Sequence, residues 1–449
     1  MDAPAIPRPS ATLVVVCAAP EGLELLLMQR ADKGDHNSGA WVFPGGLVEP
    51  ADRRCHPHCS GLDDAAASAL LGVAGGGLDF YIAAIRECFE EAGLLFAVDQ
   101  SDRVVSLEGD AGARFTALRE PLHRGERELA DVCRELGLRL AADRLFYIGH
   151  WVTPLGLPKR FDTRFFLAVL PEGQASKHDA VETLDQVWLR PAAALSPENS
   201  RRLLKVTRSV IELIGRFADT DALLAWARSP REVPMVMQRR SRDGSGPRTL
   251  MPHEPAYAEV GRLDPQGKGT VCCELQPGVA VRLSPRVLRV TAPGQSGANA
   301  YLVGGAHSGW AAIDPGHADQ SHVEALIAAA AGPIRWILLT HDGDLAAANL
   351  LAARTGAQLL GAGADNGGTL ALGGGITLRG LCTTDGKPRA CYLLVEEKTL
   401  FTGALQLDAA LPELAGVVVE WIAPAHGFLL PAPRIFDNRP AIPQTTRPA

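Results

Sequence analysis

The sequence predicts two α/β domains, and three observations carry that reading. Its 449 residues suffice for two to three domains, with an ordinary 47% of hydrophobic residues. Strand, loop and helix patterns follow one another in the first half, and strands and helices interleave along the second. Composition shifts near Arg231, where the polar, turn-rich run MQRRSRDGSGPRTLMPHEP separates the halves. The expected organisation is a first domain over 1–230 with an insertion at about 53–79, a linker or exposed loop over 231–264, and a second domain over 265–440.

Residues 11–17 read as a buried strand, with 23–29 as its hairpin partner. Residues 31–40 are polar, contain Gly34 and Gly39, and form a loop. A short strand at 41–43 runs into the turn Pro44-Gly45-Gly46. Residues 80–91 are periodic in apolar residues, and Gly93 ends that helix. Strands follow at 145–149, 163–169 and 187–189. Helices cover 197–217, with Ser196 as N-cap, and 220–227. In the second half strands fall at 287–290, 300–303, 310–313, 336–339, 357–360, 376–378, 390–395, 399–402 and 417–422. Helices there cover 322–331 and 344–355. The Pro- and Thr-rich last dozen residues read as frayed.

A net charge of -7 predicts no nucleic-acid surface. An anionic small molecule bridged by a divalent ion is compatible with it. Nine scattered cysteines, an odd number, suit a reducing compartment. The start lacks a basic region, and no apolar run reaches transmembrane length. The expectation is a cytoplasmic protein with no membrane or nucleic-acid partner, for which a homo-oligomer is open.

The run Arg86-Glu87-Cys88-Phe89-Glu90-Glu91-Ala92-Gly93 carries the most chemistry. Glu87, Glu90 and Glu91 stand at i, i+3 and i+4, which gathers them on one helix face. Like charges so placed repel, and hard oxygen donors suit Mg2+ or Mn2+. Upstream, Gly45 and Gly46 let backbone approach a ligand closely. Divalent ions between the acids and a diphosphate would neutralise phosphoryl charge and acidify an attacking water. Arg86 can pair with a neighbouring acid, Asp52 first and Glu49 second. A solvated acidic helix face is the competing explanation.

Gly46, Asp52 and then Arg86-Glu87-x-x-Glu90-Glu91-x-Gly93 resemble the signature of the Nudix hydrolases. The resemblance covers residues 11–188 and implies an α/β/α sandwich with a mixed sheet. It implies Glu87, Glu90 and Glu91 as metal ligands, Arg86 and Asp52 as an orienting pair, and Gly45 and Gly46 as the loop. Two departures stand out: Asp52 replaces the usual Glu, and the gap to Arg86 is far longer than usual. A Trp-Val-Phe-Pro-Gly-Gly start and the runs His150 to Pro154 and Lys159 to Phe166 are similar to the coenzyme A diphosphatase branch, members of which carry an insertion here. The implied activity is hydrolysis of a diphosphate, with CoA or acyl-CoA leading as substrate and an ADP-sugar or dinucleotide second.

Lys159, Arg160 and Arg164 are further candidates for substrate phosphate, against a plain basic surface cluster. Arg30, after the second strand, faces either ligand or solvent. Glu182 is a candidate extra ligand or general base from a loop, with Asp179 competing; Glu87 is preferred as base. Cys55-His56-Pro57-His58-Cys59 lacks a complementary ligand pair, so it reads as a mobile, exposed insertion and not a zinc site.

In the second half, residues 297–427 resemble the metallo-β-lactamase fold, which implies an αββα layering. The landmarks are Asn299 to Val303, Asp314-Pro315-Gly316, Thr340-His341, Leu400 to Gly403 and Ala425-His426-Gly427. The metal motif is degraded. Gly343, Leu345 and Ala346 occupy ligand places, no histidine falls within 383–387, and Ala404 stands where the bridging acid belongs. Two histidines make a poor metal site even with Asp342 or Asp344. This half is expected to be non-catalytic, against the alternatives of a zinc-dependent thioester or ester hydrolase, or a chain that only binds or scaffolds.

Overall fold

The computed structural model describes residues 4–31, 38–179, 181–294, 297–341, 343, 345–360, 368–383, 389–405 and 417–432. The chain divides between Met237 and Gln238 into two compact units. The terminal segment expected to fray, and part of the loop at 31–40, lie outside the described residues.

In the first unit, β1 (Arg8–Ala19) and β2 (Gly22–Arg30) form the expected hairpin. β3 (Trp41–Val42) pairs with β2, and β4 (Gly45–Leu47) pairs with β1. A 3-10 helix (Asp52–His58), α1 (Asp64–Leu71) and α2 (Gly77–Ala92) follow. Next come β5 (Ala97–Val98), α3 (Gly109–His123), α4 (Leu129–Leu136) and β6 (Arg139–Leu140), with β5 and β6 paired. β7 (Phe146–Val152), β8 (Phe161–Val169), β9 (Thr183–Leu189), α5 (Pro191–Leu195), α6 (Lys205–Ile214), α7 (Thr220–Arg228) and β10 (Met235–Met237) complete the unit.

The main sheet runs β10-β7-β8-β1-β2-β3, with β4 on β1 and β9 on β2. It is mixed: β1 runs parallel to β8 and β10 parallel to β7, and the other pairs are antiparallel. Alternation along β1 sends Ala11, Leu13 and Val15 to one face and Val14 and Val16 to the other. The first face packs on α1 to α4, the second on α5 to α7, so the unit has three layers.

Several stretches differ from expectation, and the strand expected over 417–422 begins only at Trp421. The insertion is folded: Asp63 caps α1 by accepting from the Ala66 N–H, and Cys55 is 1% exposed. Its burial comes from packing of the 3-10 helix on α2 and α4, which local composition does not show. α3 and α4 were not anticipated. The helix expected over 197–217 shrinks to α6, which begins at Lys205, while α5 lies before that span and Ser196 follows its end instead of capping a helix start. The Asn199 amide donates to Ala194 O, and Arg202 O accepts from the Trp41 N–H, so 197–204 serves strand contacts instead of a helix. Residues 231–264, expected as linker or exposed loop, carry β10, the hairpin β11 (Arg239–Asp243) and β12 (Gly246–Leu250), and α8 (Tyr257–Leu263).

The second unit stacks two six-stranded sheets. The first runs β13 (Ala280–Ser284), β14 (Val287–Thr291), β15 (Asn299–Gly305), β16 (Gly309–Ile313), β17 (Ile334–Leu338) and β18 (Gln358–Leu360). The second runs β19 (Thr369–Gly373), β20 (Ile376–Thr383), β21 (Arg389–Leu394), β22 (Thr399–Gly403), β23 (Trp421–Pro424) and β24 (Leu430–Pro431). Tyr301, Ile313, Leu394 and Phe401 lie in the apolar layer between the sheets. α9 (Gln320–Ala330) and α10 (Leu345–Thr355) cover the outer face of the first sheet. Leu381, Leu393, Leu400 and Ile422 cluster on the second sheet, and among the described residues no α-helix joins them. No described helix is long and apolar enough to cross a membrane.

Candidate active site

The acidic helix face is buried. Every residue of α2 except Asp79 is buried, and Glu87, Glu90 and Glu91 keep only 9%, 6% and 5% of their surface. A solvated face is therefore excluded. Isolated buried carboxylates are costly, so their partners decide what the site can do.

Arg86 is the central partner. Its Nε donates to Asp52 Oδ1 at 2.8 Å and its Nη1 to Glu87 Oε1 at 2.8 Å. Nη1 also reaches Glu90 Oε2 at 3.4 Å, and Nη2 donates to Leu47 O at 2.8 Å. Asp52 in turn accepts the Glu49 N–H at 2.8 Å, which fixes the turn after β4. One guanidinium thus ties α2, the 3-10 helix and β4 together.

The two glycines of β4 bring backbone against the acids. The Gly45 N–H donates to Glu91 Oε2 at 3.1 Å. A Cβ at Gly45 would stand 2.4 Å from Ala11 O, and one at Gly46 would stand 2.3 Å from Glu87 Oε1. Only residues without a side chain allow both approaches.

Glu182 lies beside this group, since its charge acts on both Glu87 and Glu91. Asp179 holds the turn that delivers it, accepting from the N–H groups of Val181, Glu182 and Thr183. Burial pushes the Asp179 carboxyl up, but those donors outweigh it and hold the group low. Arg30 sits at the same end of the sheet: it pairs in register with Thr183, and the neighbouring Ala31 N–H donates to Glu182 O.

One arginine against this many acids leaves excess negative charge. Burial pushes Glu87 above the usual carboxylate range, with Arg86 opposing. Burial raises Glu90 to about 8. Burial and then the Glu87 charge raise Glu91 well above its ordinary value. A hard divalent cation would relieve all three. Among the described residues no three acidic, imidazole or thiol groups already form a closed metal cage. The donors nonetheless fit Mg2+ or Mn2+, which take one or two carboxylates and complete their shell with water and substrate phosphate. Glu87, Glu90, Glu91 and Glu182 would hold the ion.

Lys159, Arg160 and Arg164 do not join this group. Lys159 is exposed in the turn before β8. Arg160 is buried and donates to the carbonyls of Ala5, Thr153 and Pro154, so it braces a loop. Arg164 is buried beneath the start of α2, paired with Asp162 and 5.5 Å from the Phe80 ring. Its strand position points it into the core face, which a count of charges cannot reveal. Beside Glu90 opens a cavity of about 370 Å³, lined by Glu49, Asp52, Arg86, Leu122 and Arg127 among others. Sequence reasoning missed that α3 and α4 wall this side. It also missed Arg119 of α3, for which no spacing signal exists.

In the second unit, Asp314 accepts from the Thr340 N–H and Oγ1, and Thr340 Oγ1 lies 3.1 Å from His341 Nδ1. His426 is exposed. Asp342, Asp344 and most of 383–387 lie outside the described residues.

Comparison with known proteins finds partial similarities. The family profile of the NUDT19 Nudix domain matches residues 63–204. The human acyl-coenzyme A diphosphatase NUDT19 is 29% identical over 208 residues, covering 39% of this chain and 55% of that protein. A Nudix hydrolase structure from Alicyclobacillus acidocaldarius aligns at 24% identity and TM-score 0.41, over 49% of this chain and 96% of its own. A metallo-β-lactamase from Pontibacter korlensis aligns at 17% identity and TM-score 0.28, over 34% of this chain and 93% of its own. The sequence match thus places a stretch similar to a Nudix domain within the first unit, over residues 63–204. The chain spans about half the length of the curated relatives it matches.

Proposed function

We propose that the chain is a divalent-cation-dependent hydrolase that cleaves the diphosphate of a nucleoside-diphosphate-linked substrate, CoA or acyl-CoA first. The observation that carries this is the burial of Glu87, Glu90 and Glu91 against the Gly45–Gly46 backbone, with Arg86 bonded to the Glu87 and Glu90 carboxylates. The name of the human relative supports CoA; an ADP-sugar or dinucleotide is the second choice for the same site.

The chain's own groups divide the work. The backbone of Gly45 and Gly46 lets the diphosphate approach α2. Arg86 orients Glu87 through Oε1, which leaves Oε2 to take a proton from the attacking water. Water oxygen bonds to one phosphorus, and the bridging P–O bond breaks. The freed phosphate carries away the electron pair. A bound Mg2+ or Mn2+ would supply charge neutralisation for that leaving oxygen. Glu182, on its Asp179-held turn, is the alternative base. We assign the second unit a non-catalytic role as a degraded metallo-β-lactamase-like module, since Gly343 and Ala404 offer no donors at two ligand places.

The test is turnover of CoA, acyl-CoA, NADH, ADP-ribose and ADP-glucose with Mg2+ and then Mn2+, products identified by mass spectrometry. CoA should yield phosphopantetheine and the matching adenosine bisphosphate. Inactivity across all substrates with both metals would reject the proposal. Turnover of only ADP-ribose or ADP-glucose would move the substrate assignment.

A further inference from the structure

The last turn of α2 carries Glu90 and Glu91, and the last four carbonyls of a helix have no partner within it. Here all four are satisfied from outside the helix. Phe89 O accepts from the Gly93 N–H at 3.0 Å and from Arg119 Nε at 3.0 Å. Arg119 Nη2 donates to Glu90 O at 3.0 Å and to Glu91 O at 3.1 Å. Ala92 O accepts from the Lys177 N–H at 2.8 Å. The same Arg119 Nη2 donates to Lys177 O at 2.9 Å.

One guanidinium therefore joins the end of the acidic helix to the segment that runs on through Asp179 to Glu182. Gly93 makes room for it. Its φ is +72°, and a Cβ there would stand 2.9 Å from Arg119 Nη1. A cation at a helix C-terminus is also favoured by the helix dipole. The planar fork suits several carbonyls at once, which a lysine ammonium does not match.

We propose that Arg119 is a positioning residue that fixes Glu90 and Glu91 of α2 relative to Glu182, and through that spacing sets the affinity for the divalent cation. It touches neither substrate nor metal. The inference rests on the proposed use of these acids as cation ligands. Arg119 lies on α3, remote in sequence from all of them.

The experiment measures Mn2+ binding by electron paramagnetic resonance on the full chain. Wild type, Arg119→Lys, Arg119→Gln and Arg119→Ala are compared, with diphosphate hydrolysis followed in parallel against Mg2+ concentration. Loss of groups that orient metal ligands costs about 10–100-fold in metal affinity. Arg119→Ala and Arg119→Gln should weaken Mn2+ binding at least about tenfold and raise the Mg2+ activation constant in step. Arg119→Lys should fall between, and millimolar guanidinium should restore part of the loss in Arg119→Ala. KM for substrate at saturating metal should stay near wild type.

Phe115→Leu is the structural control. It loosens the same helix where Phe115 packs edge-on against Phe89, so it should lower the melting temperature while leaving Mn2+ binding unchanged. Mn2+ binding within about threefold of wild type in the folded Arg119 variants would overturn the inference, since about tenfold is the least the positioning role allows. If the alanine variant does not fold, the lysine and glutamine variants decide between these outcomes. Absence of Mn2+ binding in wild type would instead reject the functional reading, and this inference with it.

Discussion

Gly46→Ala separates the site's geometry from its stability. The Gly46 φ lies outside the left-handed region, so alanine costs no backbone strain. Its methyl would stand 2.3 Å from Glu87 Oε1 and 2.7 Å from Oε2. Ordinary contact begins near 3.4 Å, so the carboxylate must retreat by about 1.1 Å. That movement breaks the 2.8 Å bond from Arg86. A hydrogen bond to a charged group is worth about 1.5–3 kcal/mol, and Gly→Ala returns about 0.4–1 kcal/mol through the unfolded chain. Net destabilisation should be about 1–2 kcal/mol. A 1 Å misplacement costs on the order of a hundredfold in rate, or about 2.7 kcal/mol of barrier. Thermal unfolding and initial rates on the best substrate measure both. Gly75→Ala, where an added Cβ meets nothing within 4 Å, is the control and should leave activity unchanged. Full activity in folded Gly46→Ala would refute the placement of Glu87 against the glycine turn.

Asp52→Ala leaves Arg86 buried without its main partner and should cost about 3–5 kcal/mol, read by chemical denaturation. In the metal-free protein the Glu90 carboxyl stands near 8 against an ordinary 4.5. A group raised in the fold stabilises it fully below the ordinary value, and that contribution is lost as pH rises through the folded one. Metal-free stability should therefore fall between pH 4.5 and about 8, and saturating Mg2+ should restore it with release of protons, measurable by calorimetry in two buffers. His341→Ala and His426→Ala should leave diphosphate hydrolysis unchanged, and loss of activity in either would place chemistry in the second unit. Glu259 and Arg289, each 2% exposed, form a buried two-bond ion pair there. Glu259→Ala should destabilise that unit by about 3–5 kcal/mol, seen as a separate early transition in calorimetry.

Much of the first unit was legible because its signals are local. β1 and β2 are continuous apolar runs, Gly93 stops α2, and the spacing of Glu87, Glu90 and Glu91 puts them on one face. Burial of that face was not legible, because it depends on β4 and the 3-10 helix closing over it. Arg160 and Arg164 show the same limit. Both read as substrate-phosphate candidates or surface charge, and both are buried, Arg160 among carbonyls in the loop before β8 and Arg164 on β8 facing the core. α3 escaped because its apolar residues form no clear stripe along one helix face and it contains Pro121. Arg119 escaped with it, since its partners are backbone carbonyls about thirty residues away, and backbone leaves no mark in side-chain pattern.

The most direct test of the acidic site is a Mn2+ titration of the wild type beside Glu90→Gln and Glu91→Gln. Folding of each would be confirmed by circular dichroism. Wild type should bind the ion and hydrolyse its diphosphate, and both variants should lose binding and turnover together. Unchanged Mn2+ affinity and turnover in both folded variants would contradict the assignment of α2 as the metal-binding face.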